Sequence, residues 1–233
     1  MIEPARLYDV IEATWPPLAT ERRGGWTIRR GGGGGSRVSA ATLEGAPGGI
    51  DEAEAAMRAL GQHPLVMIRA GQEALDEELA ARGYAVKDPV VTWAAPPAEL
   101  AARTDVTGRW PPGPEAEAIW AAGGIGPERV AVMARAAGPK VALLAKEAGS
   151  PAGTAFVAMD DDIAMLHALE VLAANRRRGL ARRLVQAAAG WAEAEGASLL
   201  TLLVTRANGG ANALYSGLGM AELGGYHYRE APR

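Results

Sequence analysis

The chain has 233 residues, 48% of them hydrophobic and 22% charged, and its 27 acidic and 24 basic side chains leave a net charge of -3 at pH 7. That length suits one large domain or two small ones, the composition excludes disorder and collagen, and the slight negative balance leaves no general positive field for nucleic acid or an anionic membrane. With no cysteine and three histidines, neither a disulfide, a thiolate zinc site nor a dedicated metal site is expected.

At the N-terminus, Met1-Ile2-Glu3-Pro4 has no basic segment followed by an apolar one, and no run approaches the ~20 apolar residues of a membrane helix, so the chain reads as cytoplasmic. A short helix is expected over 5–14, stopped where Pro16 and Pro17 remove backbone donors. Strands follow over 26–30 and 37–42, with the glycines 31–35 as a flexible hairpin connection. That run lacks the Gly-Lys-Ser/Thr ending of a phosphate loop. Asp51 offers an N-cap to a helix on which Ala53, Ala56, Met57 and Leu60 share a face, and Gly61 fits its end. A buried strand over 65–69, a helix over 73–82 closed by Gly83, and a strand-rich stretch over 84–93 lead to Pro96-Pro97. Pro and Gly then crowd the chain as far as Gly126, which reads as a linker with short helical pieces near Glu99 and over 115–121.

The second half is more regularly patterned. Strands are expected over 130–134 and 141–146, and 153–159 pairs with 164–172 across the turn Asp160-Asp161-Asp162. Leu180, Leu184, Ala187, Ala188 and Trp191 mark one face of a long helix reaching about Glu195, with Gly196 as its stop. A strand over 198–204, a short helix over 210–218 and a last strand over 225–229 finish a mixed α/β sheet. A shift of 136 residues lays Leu65 to Ile68 on Thr201 to Val204, Gln72 on Asn208, Leu79 on Tyr215 and Gly83 on Gly219. If this echo is a repeat, each half is a variant of one unit and the differences between them say which half works.

The run richest in chemistry is Arg176-Arg177-Arg178-Gly179-Leu180-Ala181, after a strand and at the start of the long helix. Glycine at 179 lets a ligand approach the backbone, and the first N–H groups of a helix have no intrahelical partner. Cations at a helix start oppose its dipole, so a compensating anion explains them better than solvation does. A few charge-assisted hydrogen bonds of roughly 1.5 to 3 kcal/mol each approach the ~8 kcal/mol of a micromolar complex before association costs.

At these residues the chain resembles the GNAT superfamily of acyl-CoA-dependent N-acetyltransferases, whose pyrophosphate signature is Gln/Arg-x-x-Gly-x-Gly/Ala; Arg176, Gly179 and Ala181 satisfy it. Asn208-x-x-Ala211-x-x-Leu214-Tyr215-x-x-x-Gly219-Met220 looks like the family's second block. The resemblance covers 128–229 well and the first hundred residues poorly. It implies the acyl-CoA N-acyltransferase fold, a mixed, mostly antiparallel sheet flanked by helices, in tandem if the echo holds. The division it suggests is a degenerate GNAT-like region over 1–97, a linker over 98–127 and a catalytic domain over 128–233.

The resemblance further implies acetyl-CoA as co-substrate, a small-molecule or peptide amine as acceptor, and no metal. Backbone at Leu169 and Val171 would pair with the pantetheine arm, while Arg176, Arg177, Arg178, Gly179, Leu180, Ala181 and Arg182 would hold the pyrophosphate. Asn208 would touch the cofactor or brace the splayed strands, and Tyr215 would reach the thioester sulfur. Without the motif, Asn208 reads as a cap and Tyr215 as a core aromatic. A protonated amine must lose a proton, and His167 is the candidate acceptor. Its strand, Met165-Leu166-His167-Ala168-Leu169-Glu170-Val171, resembles that of the arylalkylamine acetyltransferases, which carries a second histidine where Met165 stands. A satisfied histidine within the sheet is the other reading of His167. Glu170 falls on the opposite face by strict alternation. Under the 136 shift the arginine run lands on Ala40 to Gly45, where no cradle survives. The first half therefore reads as completing the sheet or walling the acceptor cleft, with Trp15, Trp26, Trp93, Trp110 and Trp120 as cleft or core. Two rival functions remain, a non-catalytic acyl-CoA-binding module and a scaffold of tandem halves. Apolar strands near the C-terminus serve either the fold or a homodimer.

Overall fold

The computed structural model describes residues 3–45 and 48–233. Helix α1 (Pro4–Thr14) stops before Pro16, and the Thr14 hydroxyl donates back to the Val10 carbonyl at 2.6 Å. A hairpin of β1 (Ala19–Arg23) and β2 (Trp26–Arg30) follows, then α2 (Ser36–Ser39) and β3 (Thr42–Leu43), which adds a third strand beside β2. Next come α3 (Ile50–Ala59), β4 (Leu65–Ile68), α4 (Glu73–Ala81), β5 (Ala85–Ala95), α5 (Pro97–Leu100), β6 (Thr107–Arg109), α6 (Pro114–Ala122) and α7 (Pro127–Arg135). The chain finishes with β7 (Lys140–Glu147), β8 (Ser150–Asp160), β9 (Ile163–Val171), α8 (Leu180–Ala194), β10 (Leu199–Thr205), α9 (Gly209–Ser216) and β11 (Ala221–Glu230).

Eight strands form one sheet in the order β4-β11-β5-β10-β9-β8-β7-β6. Every neighbouring pair is antiparallel except β9 with β10, as the mixed, mostly antiparallel expectation requires. Helix α8 buries Leu180, Leu184, Val185, Ala188, Ala189 and Ala192 on one face against Leu143, Val157, Leu166 and Leu200. That spacing of three and four residues turns one apolar stripe onto the sheet. The opposite face is covered by α1, whose Val10 and Ile11 meet Ile163 and Met165, and by α6, whose Trp120 joins the cluster around Phe156. Farther along, α3 and α4 pack Ile50, Met57, Leu75 and Leu79 against Val66 and Ile68.

The 136-residue echo corresponds to a repeated strand, helix and strand. Shifted by 136, β4, α4 and β5 fall on 201–204, 209–217 and 221–231, within two residues of the limits of β10, α9 and β11. The two units exchange their last strands, since β11 pairs with β4 and β5 pairs with β10. Register is shared as well: His227 faces Ile68 and Val204 faces Val91, one pair being the other after the shift. So are the cross-links. Arg229 Nε donates to Asp76 Oδ1 at 2.6 Å, and at the related positions Trp93 Nε1 donates to Asn212 Oδ1 at 2.9 Å.

Four expectations need correction. The stretch 37–42 is helical over its first half and reaches a strand only at Thr42, the start of β3; the hairpin partner of β2 is β1, joined through Gly24-Gly25, a two-residue glycine connection that itself signals a hairpin. The glycines 31–35 lead into α2, and Gly33, Gly34 and Gly35 pack against α7: a Cβ on Gly34 would lie 2.5 Å from Val132 Cγ2. The apolar run 130–134 is helical within α7, begun by Pro127 at the first helical position after Gly126. Asp51 does not cap α3; Gly49 does, in the left-handed region, and Asp51 sits in the first turn bonded to Arg82. Residues 98–127, expected as a linker, supply edge strand β6 beside β7 and helix α6, whose Trp120 is fully buried.

Candidate active site

Strand β9 contains a bulge. Ala168 has φ +50, and the β8 register slips between Thr154 and Phe156, so that Phe156 faces His167 while Thr154 faces Glu170. One inserted residue reverses the alternation beyond it, which brings Glu170 back to the face of His167 and corrects the opposite-face expectation. The carbonyl of Ala168 is held by Trp120 Nε1 at 2.8 Å. Parallel pairing with β10 covers only Ile163–Leu166 against Leu199–Leu202; beyond it the two strands diverge. Their unpaired backbone edges then face each other across a wedge, available to a ligand.

Three cavities run along this wedge. The first, about 310 Å³, lies at the start of α8 and is lined by Val171, Arg176, Arg177, Gly179, Leu180, Ala181 and Arg182 among others. Gly179 caps α8 at φ +79, and the space where a Cβ would stand is open. No acidic residue occupies the first turn of α8. Arg176 reaches the Val171 carbonyl at 3.1 Å and Glu170 at 3.4 Å, and Arg182 reaches the Gly217 carbonyl at 3.4 Å. Arg177, at φ +65, has no side-chain partner among the described residues. Arg178 is exposed and lines none of the three cavities. Arg183, next along the helix, is tied to Asp105 and Glu147 at 2.8 and 2.9 Å and serves the fold.

The second cavity, about 260 Å³, fills the wedge between Leu166, His167, Ala168 and Leu169 on β9 and Leu202, Leu203 and Val204 on β10, closed by Asn208, Ala211 and Tyr215 of α9. Asn208 caps α9, its Oδ1 accepting from the Ala211 N–H at 3.1 Å. The bracing of the loop comes from Asn212, whose Nδ2 donates to the carbonyls of Thr205 and Asn208. The Tyr215 phenol is pushed up to about 12 by burial.

The third cavity, about 290 Å³, shares Arg37, His167 and Ala168 with the second and continues past Trp15, Gly35, Ser36 and Arg129 to Asp88, Tyr226 and Tyr228. His167 is buried at their junction with both ring nitrogens engaged. Arg37 Nη1 lies 3.0 Å from Nδ1 and Thr14 Oγ1 lies 2.9 Å from Nε2. A guanidinium only donates, so Nδ1 accepts and Nε2 carries the proton it gives to Thr14. Burial first, and the Arg37 charge second, press the His167 pKa well below its usual value. Of the five tryptophans expected in the cleft or core, only Trp15 lines this cavity, its ring 5.0 Å from that of His167 and tilted by 34°. Arg37, Arg129, Asp88, Asn212 and the Tyr226–Tyr228 pair were not legible as site residues. Apart from Asn212, which follows Asn208 by one helical turn, they come from elements far apart in sequence.

A sequence model of the acetyltransferase (GNAT) family matches residues 102–220, just over half of the chain. The chain belongs to that family. As a GNAT member it is an acyltransferase, and apart from Arg37 the residues lining the first two cavities fall within the matched segment. A GCN5-related N-acetyltransferase from Kribbella flavida shares the fold with TM-score 0.74 at 21% identity, covering 100% of this chain and 97% of that one. A conserved protein of unknown function from Staphylococcus epidermidis gives 0.69 at 12% identity, over 94% and 96% of the two chains. A tandem GNAT protein from the clavulanic acid biosynthesis pathway gives 0.59 at 14%, over 99% and 89%. These likenesses extend the GNAT fold across the first half, where the family match does not reach. No curated protein matches the chain.

Proposed function

We propose that this GNAT protein moves an acetyl group from acetyl-CoA to a primary amine by direct attack of the amine nitrogen. The observation that carries this reading is the alignment of three cavities: a cationic helix start, a wedge ending at Tyr215, and an open chamber beyond His167. A diphosphate fits the first. It finds the free N–H groups of α8, the unpaired Arg177 and the bare face of Gly179. When bound, acetyl-CoA supplies an acetyl group activated as a thioester.

The protein's own tasks follow from its geometry. Arg176, Arg177 and the α8 turn bind and orient, and the apolar walls of the wedge exclude water. Tyr215 keeps its proton at neutral pH, because with a pKa raised to about 12 full transfer to a thiolate near 8.5 is uphill by roughly 5 kcal/mol. It therefore donates a hydrogen bond to the sulfur and goes no further. An alkylammonium acceptor near pKa ~10 must lose one proton, at about 4 kcal/mol at pH 7. With its acceptor nitrogen held by Arg37, His167 is a positioning residue, and that proton leaves to water through the third chamber. A C–N bond then forms, the C–S bond breaks, and the second amine proton ends on the departing sulfur.

Thiol release from acetyl-CoA over a panel of amines is the test, with turnover expected. Calorimetric binding of coenzyme A with no thiol released would favour an acyl-CoA-binding module, and no heat at all would favour a scaffold.

A further inference from the structure

The third cavity has an imbalance of charge. Three other deeply placed guanidiniums each hold a carboxylate: Arg29, 6% exposed, binds Glu12; Arg229, 13%, binds Asp76; Arg69, 15%, binds Glu44. Arg37 does not. Its Nη1 meets the neutral His167 ring, its charge lies 5.6 Å over Trp15, and its Nε, like that of Arg69, is buried without a hydrogen-bond partner. Arg37 is half-buried, and a partly desolvated charge without a counter-ion is unfavourable, so a site of this kind suits an anion from outside. A second guanidinium faces the same chamber. Arg129 has no ion pair or side-chain hydrogen bond among the described residues, and it lies so close to Gly35 that a Cβ there would approach its Nη2 to 3.3 Å. Asp88, across the chamber, is the one acidic residue in its wall.

We propose that the acceptor is an amine bearing a carboxylate, an α-amino acid in its simplest form, with the carboxylate seated on Arg37 and Arg129. Arg37 lines both the wedge and the chamber. A carboxylate on it therefore leaves an α-amine, one carbon away, at their junction, where the thioester would end. The remaining group points into a chamber walled by Trp15, Ile125, Tyr226 and Tyr228.

The inference deepens the acetyltransfer reading but is tested apart from it, by binding. Full-length protein saturated with coenzyme A is titrated calorimetrically with the N-acetyl derivatives of the common L-amino acids and with their carboxamides, which lack the charge. At least one acid should bind about tenfold or more tightly than its amide, as a charge-assisted bidentate contact requires. Arg129→Gln should narrow that ratio and Arg37→Met should abolish it; since Arg129 makes no side-chain hydrogen bond or ion pair among the described residues, its variant keeps the test decisive if the other fails to fold. Equal binding of acids and amides throughout, no binding by any acid, or a preference that survives both substitutions overturns the proposal. None of these results bears on whether uncharged amines are acetylated, which thiol release decides separately.

Discussion

The units β4–α4–β5 and β10–α9–β11 share length, register and cross-links, and differ in what precedes them. Entry to α8 is through Arg176, Arg177 and Gly179 with no acidic residue in the first turn; entry to α3 is through Gly49 followed by Asp51 and Glu52. Acidic side chains at a helix start satisfy its dipole and repel a diphosphate, whereas the cations at α8 leave the N-terminal positive end for a ligand. Leu79, fully buried, replaces Tyr215, so the first unit has no hydroxyl at the equivalent place. The comparison also refines the match of the loops. Helix starts at 50 and 180 put the counterpart of the run 176–181 at 46–51, of which 46 and 47 lie outside the described residues, rather than at Ala40 to Gly45, which carries β3. On the function proposed above, one backbone serves two ends: the segment before the second unit holds the cofactor, while the first unit extends the sheet and α2 before it, through Arg37, walls the acceptor chamber.

The contrast predicts its largest effect at the cradle. Arg176→Ala with Arg177→Gly, glycine keeping the left-handed backbone, should weaken coenzyme A about 100-fold or more by calorimetry, two charge-assisted contacts at about 1.5 to 3 kcal/mol each. Arg178→Ala, outside the cavity, should stay within about twofold, and equal losses from all three arginines would mean that general charge, not the cradle, does the binding. Next is Tyr215→Phe, expected to lower kcat roughly 10- to 100-fold with coenzyme affinity nearly unchanged, since the lost hydrogen bond matters as the sulfur gains charge.

Smaller effects test the exchange of strands. Asp76→Ala removes the partner of Arg229 and His227, and Asn212→Ala removes that of Trp93. Each should cost about 1 to 3 kcal/mol in denaturant unfolding. Arg229 first, and His227 beside it, hold the Asp76 carboxyl below its usual range. Its contribution is therefore present above pH ~4 and lost as the pH falls through the folded-state value. The smallest is His167→Gln. A histidine buried neutral, with its pKa pressed down, binds no proton when the unfolded chain does, so stability declines as pH drops below ~6.5, by at most about 1.4 kcal/mol per unit. The variant should lose that slope between pH 6.5 and 5 in thermal melts; an unchanged slope would place the titration elsewhere.

Much of this protein was legible without coordinates. Long periodic segments such as α8 and β7 to β9 carried their own signal, and Gly179, Ala181 and Tyr215 stood at motif spacing. Short apolar runs misled, because five residues, less than one and a half turns of a helix at about 3.6 residues each, cannot distinguish a strand from a helix, as 130–134 showed.

By itself the chain order determined the sheet class, the half that matches the GNAT family and the echo of one unit in the other, because periodicity, capping and motif spacing are local properties. Only the tertiary structure decided the rest. The bulge at Ala168 turned Glu170 to the other face, and Thr14, Arg37 and His167 met from three distant elements. A hydrogen bond between residues 130 or more apart leaves no mark at either position, since each side chain's role depends on a neighbour that only folding supplies.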